Sequence, residues 1–278
     1  MKTLYRKIEV LSLMLVITLS TMALITIPRG NDVEANISDP DDYGYYWVDN
    51  KDPDPKVEYS WIDATTGGTK ISDGMYSSYS YTSVSLPFNF TYYGNTYNTM
   101  YVTSKGYVSF VDTYVTSSYT RLPSGSSPHG TIAVYWAYPY YYRYTSGGIW
   151  TLSGTTSDGV QYFVVEWHGG RYDLTYEAIF YETGEIKFQY KDVQATSSSY
   201  SNGKSTTVGI EDPTDTYGLT YSYNQQVINN GLAILFSPYH PSASVNLTDG
   251  DGSDGHVVLA GYRYYNLHVD VYLDGGVN

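Results

Sequence analysis

Apolar residues recur at every second position through most of this chain. In Leu86-Pro87-Phe88-Asn89-Phe90-Thr91-Tyr92, the residues Leu86, Phe88, Phe90 and Tyr92 share one side, and Asn89 and Thr91 take the other. A period of two belongs to the pleated strand, whose side chains alternate between faces. Similar segments are Val57–Asp63, Val84–Tyr93, Tyr97–Thr103, Tyr107–Val111, Thr131–Trp136, Gly148–Leu152, Val160–Trp167, Leu174–Tyr181, Glu185–Lys191, Thr206–Glu211 and Leu232–Phe236. Turn formers separate them, among them Tyr93-Gly94-Asn95, Lys105-Gly106, Ser157-Asp158-Gly159, Asn202-Gly203 and Asn229-Asn230-Gly231. No stretch after residue 35 carries a 3.6-residue apolar repeat. Short strands at this spacing predict an all-β fold, an antiparallel β-sandwich of jelly-roll-like type.

Two segments allow sharper expectations. Phe163-Val164-Val165-Glu166-Trp167 is apolar on both sides until Glu166, as a central strand requires. Leu174–Tyr181 and Glu185–Lys191 form a hairpin whose register follows from its faces. A two-residue turn would set Phe180 against Lys187. A three-residue loop sets Phe180 against Ile186, Ala178 against Phe188, Tyr176 against Tyr190 and Glu177 against Gln189. Only the second keeps the apolar face together, since a one-residue slip exchanges the faces. It also puts Gly184 at the left-handed bulge position.

The N-terminus reads as an export segment: Lys2, Arg6 and Lys7, an apolar run from Val10 to Ile27, and a small-residue site at Val33-Glu34-Ala35. Residues 1–35 are therefore expected to be a signal peptide, and contact with a membrane is expected only if it stays uncleaved. The 278 residues include no cysteine, so an exported chain of this kind must be held by packing rather than disulfides. A secreted or cell-surface protein of a prokaryotic envelope is the setting this composition suits. The net charge is −13, which repels phosphate backbones and excludes nucleic acid as a partner class. Sequons stand at Asn36, Asn89 and Asn246, with Asn89 on the outward side of its strand.

Residues 36–56 are polar and turn-rich, and the sandwich is expected over 57–238. A boundary lies at Pro238-Tyr239-His240-Pro241. Residues 239–278 would be a linker and an incomplete module, too short to close a sandwich, which takes roughly 100 residues. The chain stops in a loop-like Gly275-Gly276-Val277-Asn278, so a longer multi-module protein is expected.

Several phrases together carry a resemblance. They include Tyr45-Tyr46-Trp47-Val48-Asp49, Tyr59-Ser60-Trp61-Ile62-Asp63, Met100-Tyr101-Val102-Thr103-Ser104-Lys105-Gly106-Tyr107-Val108-Ser109-Phe110, Ile132-Ala133-Val134-Tyr135-Trp136 and Val208-Gly209-Ile210-Glu211. Over roughly residues 43–238 the chain resembles the β-sandwich module at the front of archaeal and bacterial cell-surface proteins and some secreted peptidases, and its middle part is similar to nidogen-type extracellular modules. The resemblance implies a non-catalytic adhesion module followed by immunoglobulin-like repeats, with the tail from Ser244 as the first of them. Lys105-Gly106 stands where such modules commonly have Asn-Gly. Ala137-Tyr138-Pro139 stands where they commonly have an acidic residue.

Catalytic patterns are weak. There is no Gly-x-Ser-x-Gly elbow, and the five histidines are scattered. Glu166-Trp167-His168 is the best acid–base pair, but it lacks a nucleophile. Gly203-Lys204-Ser205-Thr206 imitates a phosphate loop without the first glycine or the helix. Asp249, Asp251 and Ser253 alternate as in a calcium loop, so calcium is the one ion the sequence would suit. The loop lacks the glycine and glutamate that such a site uses, and no other cofactor is implied. The sharper candidate is aromatic. There are 35 tyrosines, and Tyr138, Tyr140, Tyr141, Tyr142 and Tyr144 crowd one Pro-interrupted stretch between strands. Exposed rings there would stack on a glycan or seal an interface with a surface protein. The alternatives are an accessory domain of a secreted hydrolase encoded downstream and a filament subunit.

Overall fold

The computed structural model describes residues 38–51 and 57–238. The expected signal peptide, the sequons at Asn36 and Asn246, and the tail with Asp249, Asp251 and Ser253 lie outside the described residues. Thirteen strands and two single-turn 3-10 helices, Ser72–Gly74 and Ser201–Gly203, make up the regular structure among them. The strands are β1 (Tyr46–Asp49), β2 (Thr69–Lys70), β3 (Tyr81–Tyr92), β4 (Asn95–Thr103), β5 (Tyr107–Ser109), β6 (Thr131–Ala137), β7 (Gly148–Thr155), β8 (Gln161–His168), β9 (Thr175–Tyr181), β10 (Ile186–Asp192), β11 (Thr206–Glu211), β12 (Gly218–Tyr223) and β13 (Ala233–Ser237). They form two antiparallel sheets, ordered β1-β13-β10-β9-β8-β7-β2 and β12-β11-β6-β5-β4-β3. Each sheet is built on a meander of four consecutive strands, β7 to β10 in one and β3 to β6 in the other. No helix among the described residues is long and apolar enough to cross a membrane.

The alternation in β3 is realised: Leu86, Phe88, Phe90 and Tyr92 are buried, while Pro87, Asn89 and Thr91 are exposed. The hairpin of β9 and β10 has the three-residue register, pairing Phe180 with Ile186, Ala178 with Phe188, Tyr176 with Tyr190 and Glu177 with Gln189. Gly184 sits at φ +94°, a region an L side chain rarely enters. β8 lies between β7 and β9 and is buried on both faces from Phe163 to Trp167.

The inter-sheet core is aromatic. Tyr176 stacks on Tyr135 and Trp167 at centroid distances of 5.2 and 5.5 Å. Phe90, Phe110 and Phe180 form a second group. Buried tyrosines need partners for their hydroxyls. The Tyr190 hydroxyl donates to the Val134 carbonyl (2.8 Å), Tyr92 to the Glu211 carbonyl (2.8 Å), and the Trp167 Nε1 to the Thr103 carbonyl (2.9 Å). Ring area packed this way stands in for the missing disulfides.

Several parts depart from the sequence reading, the two-residue strand β2 among them. Tyr46–Asp49, placed among the polar lead-in residues, is strand β1 and pairs with β13. β12 is absent from the segments read as strands, although Leu219, Tyr221 and Tyr223 alternate there with Thr220 and Ser222. Val57–Asp63 is no strand, because its backbone meets side chains instead of a neighbouring main chain. The Ser60 N–H donates to Gln189 Oε1 (2.6 Å), Ile62 N–H to Glu177 Oε1 (3.2 Å) and Ala64 N–H to Glu166 Oε2 (2.7 Å). The Gln189 amide donates back to the Ser60 carbonyl (2.7 Å) and to Glu177 Oε1 (2.6 Å). This strap covers the outer face of the seven-stranded sheet. Val57 packs with Val48 and Ala233, and Ala64 with Val164 and Ile179.

Candidate functional site

The tyrosine-rich stretch follows β6 and keeps a strand-like alternation. Pro139 and Tyr141 are buried, while Tyr138 (43% exposed), Tyr140, Tyr142 and Tyr144 (69% exposed) face outward to differing degrees. Tyr141 is thus not available to a ligand. Its hydroxyl donates to the Leu174 carbonyl (3.0 Å) and its ring meets Tyr176 edge-on at 5.8 Å. Backbone bonds fix the stretch at intervals: Tyr141 N–H to the Ser104 carbonyl (3.0 Å), Arg143 N–H to Met75 (3.1 Å) and Arg171 N–H to Tyr140 (3.0 Å). Thr145 closes it, its hydroxyl donating to the Tyr142 carbonyl (2.7 Å).

The four outward rings form a continuous row. Successive centroids are 6.4 Å apart for Tyr138 and Tyr140, 5.4 Å for Tyr140 and Tyr142, and 5.7 Å for Tyr142 and Tyr144. Tyr200 extends the row sideways, stacking on Tyr138 at 5.9 Å and on Tyr172 at 5.1 Å. Tyr140, Tyr142, Tyr144, Thr145, Gly170, Arg171 and Tyr172 line an open groove of about 360 Å³.

One wall of the groove is a strained turn. Gly169 and Gly170 have φ of +65° and +60°, and the non-glycine residues Tyr172 and Asp173 have +74° and +59°. Left-handed backbone at an L residue costs roughly 1–2 kcal/mol and persists only where packing over-determines it. Here Gly170 lies so close to Tyr141 that an added Cβ would meet its ring at 2.3 Å. The turn presents Arg171, whose guanidinium lies 5.5 Å from the Tyr140 ring and 5.0 Å from the Tyr172 ring and donates to the Tyr140 hydroxyl (3.0 Å).

Lys105 supports the row from beneath. Its side chain is buried, its Nζ lies 4.2, 5.1 and 4.9 Å from the rings of Tyr79, Tyr138 and Tyr140, and it donates to the Tyr138 carbonyl (2.9 Å). Burial lowers its pKa to about 8, so the ammonium is charged at neutral pH and is stabilised by ring faces. Arg143 lies over Tyr76 and Tyr144 at 4.7 and 5.3 Å.

Sequence reasoning found the row but not Lys105, Arg171, Tyr172 or Tyr200. Two signals in the sequence point to them: Lys105-Gly106, where related modules commonly have Asn-Gly, and Gly169-Gly170 immediately before Arg171. The Glu166–His168 pair does come together, with His168 Nδ1 2.7 Å from Glu166 Oε1. However, Glu166 is fully buried and its other oxygen holds the strap. Among the described residues no group of histidines and carboxylates is placed to hold a metal ion.

Comparisons with curated proteins and with solved structures returned no match. A family model described as NIDO related matches residues 56–238, the span that contains strands β2 to β13, the strap and the tyrosine groove. The chain belongs to the NIDO-related family.

Proposed function

We propose that this chain is an extracellular, non-catalytic β-sandwich module that attaches to glycans through the tyrosine groove. Family membership supports the extracellular module. The observation that carries the binding role is the row Tyr138, Tyr140, Tyr142 and Tyr144, held outward by an inward anchor at Tyr141 and walled by Arg171. Ring faces beside hydroxyl and guanidinium donors match the mixed apolar and polar faces of a sugar. The non-catalytic reading is supported by Glu166, whose carboxylate is engaged by Ala64 and His168 rather than open to a substrate.

A glycan array probed with wild type and with the double variant Tyr140→Ala plus Tyr142→Ala tests the reading. Wild type is expected to retain a defined set of saccharides and the variant to lose them. Equal retention by both proteins, or none by wild type, rejects the groove as a glycan site.

A further inference from the structure

Resting on that reading, we infer that the saccharide taken by the groove is anionic, carrying carboxylate or sulfate groups that meet Arg171 and Arg143. The charge distribution runs against the composition. The chain has 28 acidic residues against 15 basic ones, yet the residues lining the groove include a guanidinium and no carboxylate. Arg171 stands in its wall, Arg143 beside Tyr144 at its end, and the Lys105 ammonium beneath Tyr138 and Tyr140. None of the three makes an ion pair with a carboxylate among the described residues. Asp173, two positions from Arg171, is exposed and forms no such pair with it.

Distance decides which charge a ligand feels. The screening length is about 8 Å at physiological ionic strength, so the acidic remainder of the surface is damped while the Arg171 guanidinium in the groove wall, and that of Arg143 beside Tyr144, act at contact range. Arg171 is held by two ring faces and one tyrosine hydroxyl, which fixes its plane and leaves donors for a carboxylate or sulfate oxygen. An acidic peptide would use the same cations. The ring row favours the saccharide, because the rings border one open groove rather than closing apolar pockets for side chains.

The test measures binding of four probes to the described module in its full chain: an oligogalacturonate, its methyl ester, a sulfated galactan oligosaccharide and a polyglutamate peptide. The uronate or the sulfated sugar, or both, should bind at least roughly tenfold more tightly than the neutral ester, as expected for charge-assisted hydrogen bonds. That preference should shrink as salt is raised. Arg171→Gln and Arg143→Gln should each remove much of the preference, weakening binding of the acid far more than that of the neutral ester, and Tyr140→Ala plus Tyr142→Ala should abolish both. Which acid binds identifies the source of the charge. Equal affinity for acid and ester, or no effect of Arg171→Gln, overturns the inference while the glycan reading stands. Binding of polyglutamate in place of the sugars overturns it in favour of a protein partner. Failure of every probe overturns the inference, and the glycan array then decides separately whether the groove takes other sugars.

Discussion

At the scale of the residue, Tyr141 shows how one side chain divides a binding surface from a core. It stands in a run of outwardly similar tyrosines, yet it is the one whose hydroxyl reaches a buried carbonyl, that of Leu174. Burial holds that hydroxyl far above its ordinary pKa, so it donates its hydrogen bond at every pH the protein would meet. Tyr141→Phe should cost about 1 kcal/mol through the lost hydrogen bond. Tyr141→Ala should cost about 3–5 kcal/mol through the cavity beside Tyr176. Urea unfolding of both variants measures the difference, and a near-equal loss would mean the ring contributes little. Lys105 is a contrasting case, a charge retained in the interior by aromatic faces and one carbonyl. Because its folded pKa lies below the ordinary 10.5, it favours folding more as pH rises from about 8 to about 10.5.

At the scale of the element, the strap over 57–66 has a pH dependence built into its attachment. Glu166 and Glu177 are cross-strand neighbours, as are Glu177 and Gln189. Lys187 and the tyrosines 59 and 181 also act on Glu177 or feel its charge. Burial raises the Glu177 pKa to about 8, and its Oε2 has no hydrogen-bond partner. The folded protein therefore keeps a proton that the unfolded chain releases near 4.5. This contribution is fully present below about pH 4.5 and is lost as pH rises through about 8. Glu177→Gln keeps an acceptor for Ile62 and cannot ionise. Relative to that variant, wild type should lose stability on the order of a few kcal/mol across this window. Urea midpoints followed over the same range give the answer, and parallel curves for the two proteins would remove Glu177 as the cause. Glu211, raised to about 7 by burial, should leave a smaller slope of the same sign in both.

The strap also marks where sequence patterning stops being informative. Val57–Asp63 has the alternation of a strand, and alternation reports faces rather than partners. That side chains on three neighbouring strands would accept its N–H groups follows from tertiary placement alone. The hairpin of β9 and β10 was legible to the residue because its two candidate registers differed in which face stayed apolar. β12, at a sheet edge, alternates Leu219, Tyr221 and Tyr223 with Thr220 and Ser222, but a run this short amid Gly, Thr and Ser does not stand out from the turns around it. At the groove, exposure had to be read ring by ring. The spacing identified the stretch, but Arg171, Tyr172 and Lys105 reach it from distant parts of the chain.

At the scale of the molecule, the open question for any sandwich is its edges. β3 is twelve residues long and pairs on one side only, with β4. Such an edge invites a second copy. Pro87 lies exposed within it, and the ladder with β4 breaks register between Ser85 and Phe90. A proline lacks the N–H that a docking strand would use, and an irregular edge cannot template a long ladder. The net charge of −13 adds repulsion between copies. Wild type is expected to sediment as a monomer at high concentration, and Pro87→Val to self-associate. A variant that stays monomeric would show that the proline guards nothing, and a wild type that polymerises would favour the alternative of a filament subunit.

The loop after β6 is in phase with the strand that feeds it, and that phase fixes which mutations it can survive. Removing one residue between Ala137 and Tyr141 would shift the frame by half a period, burying hydroxyl-bearing rings meant for water and lifting the anchor out of its socket. Substitutions, or length changes in steps of two, leave the frame intact. Diversification of specificity in this loop should therefore proceed by exchanging side chains, with chain length nearly constant.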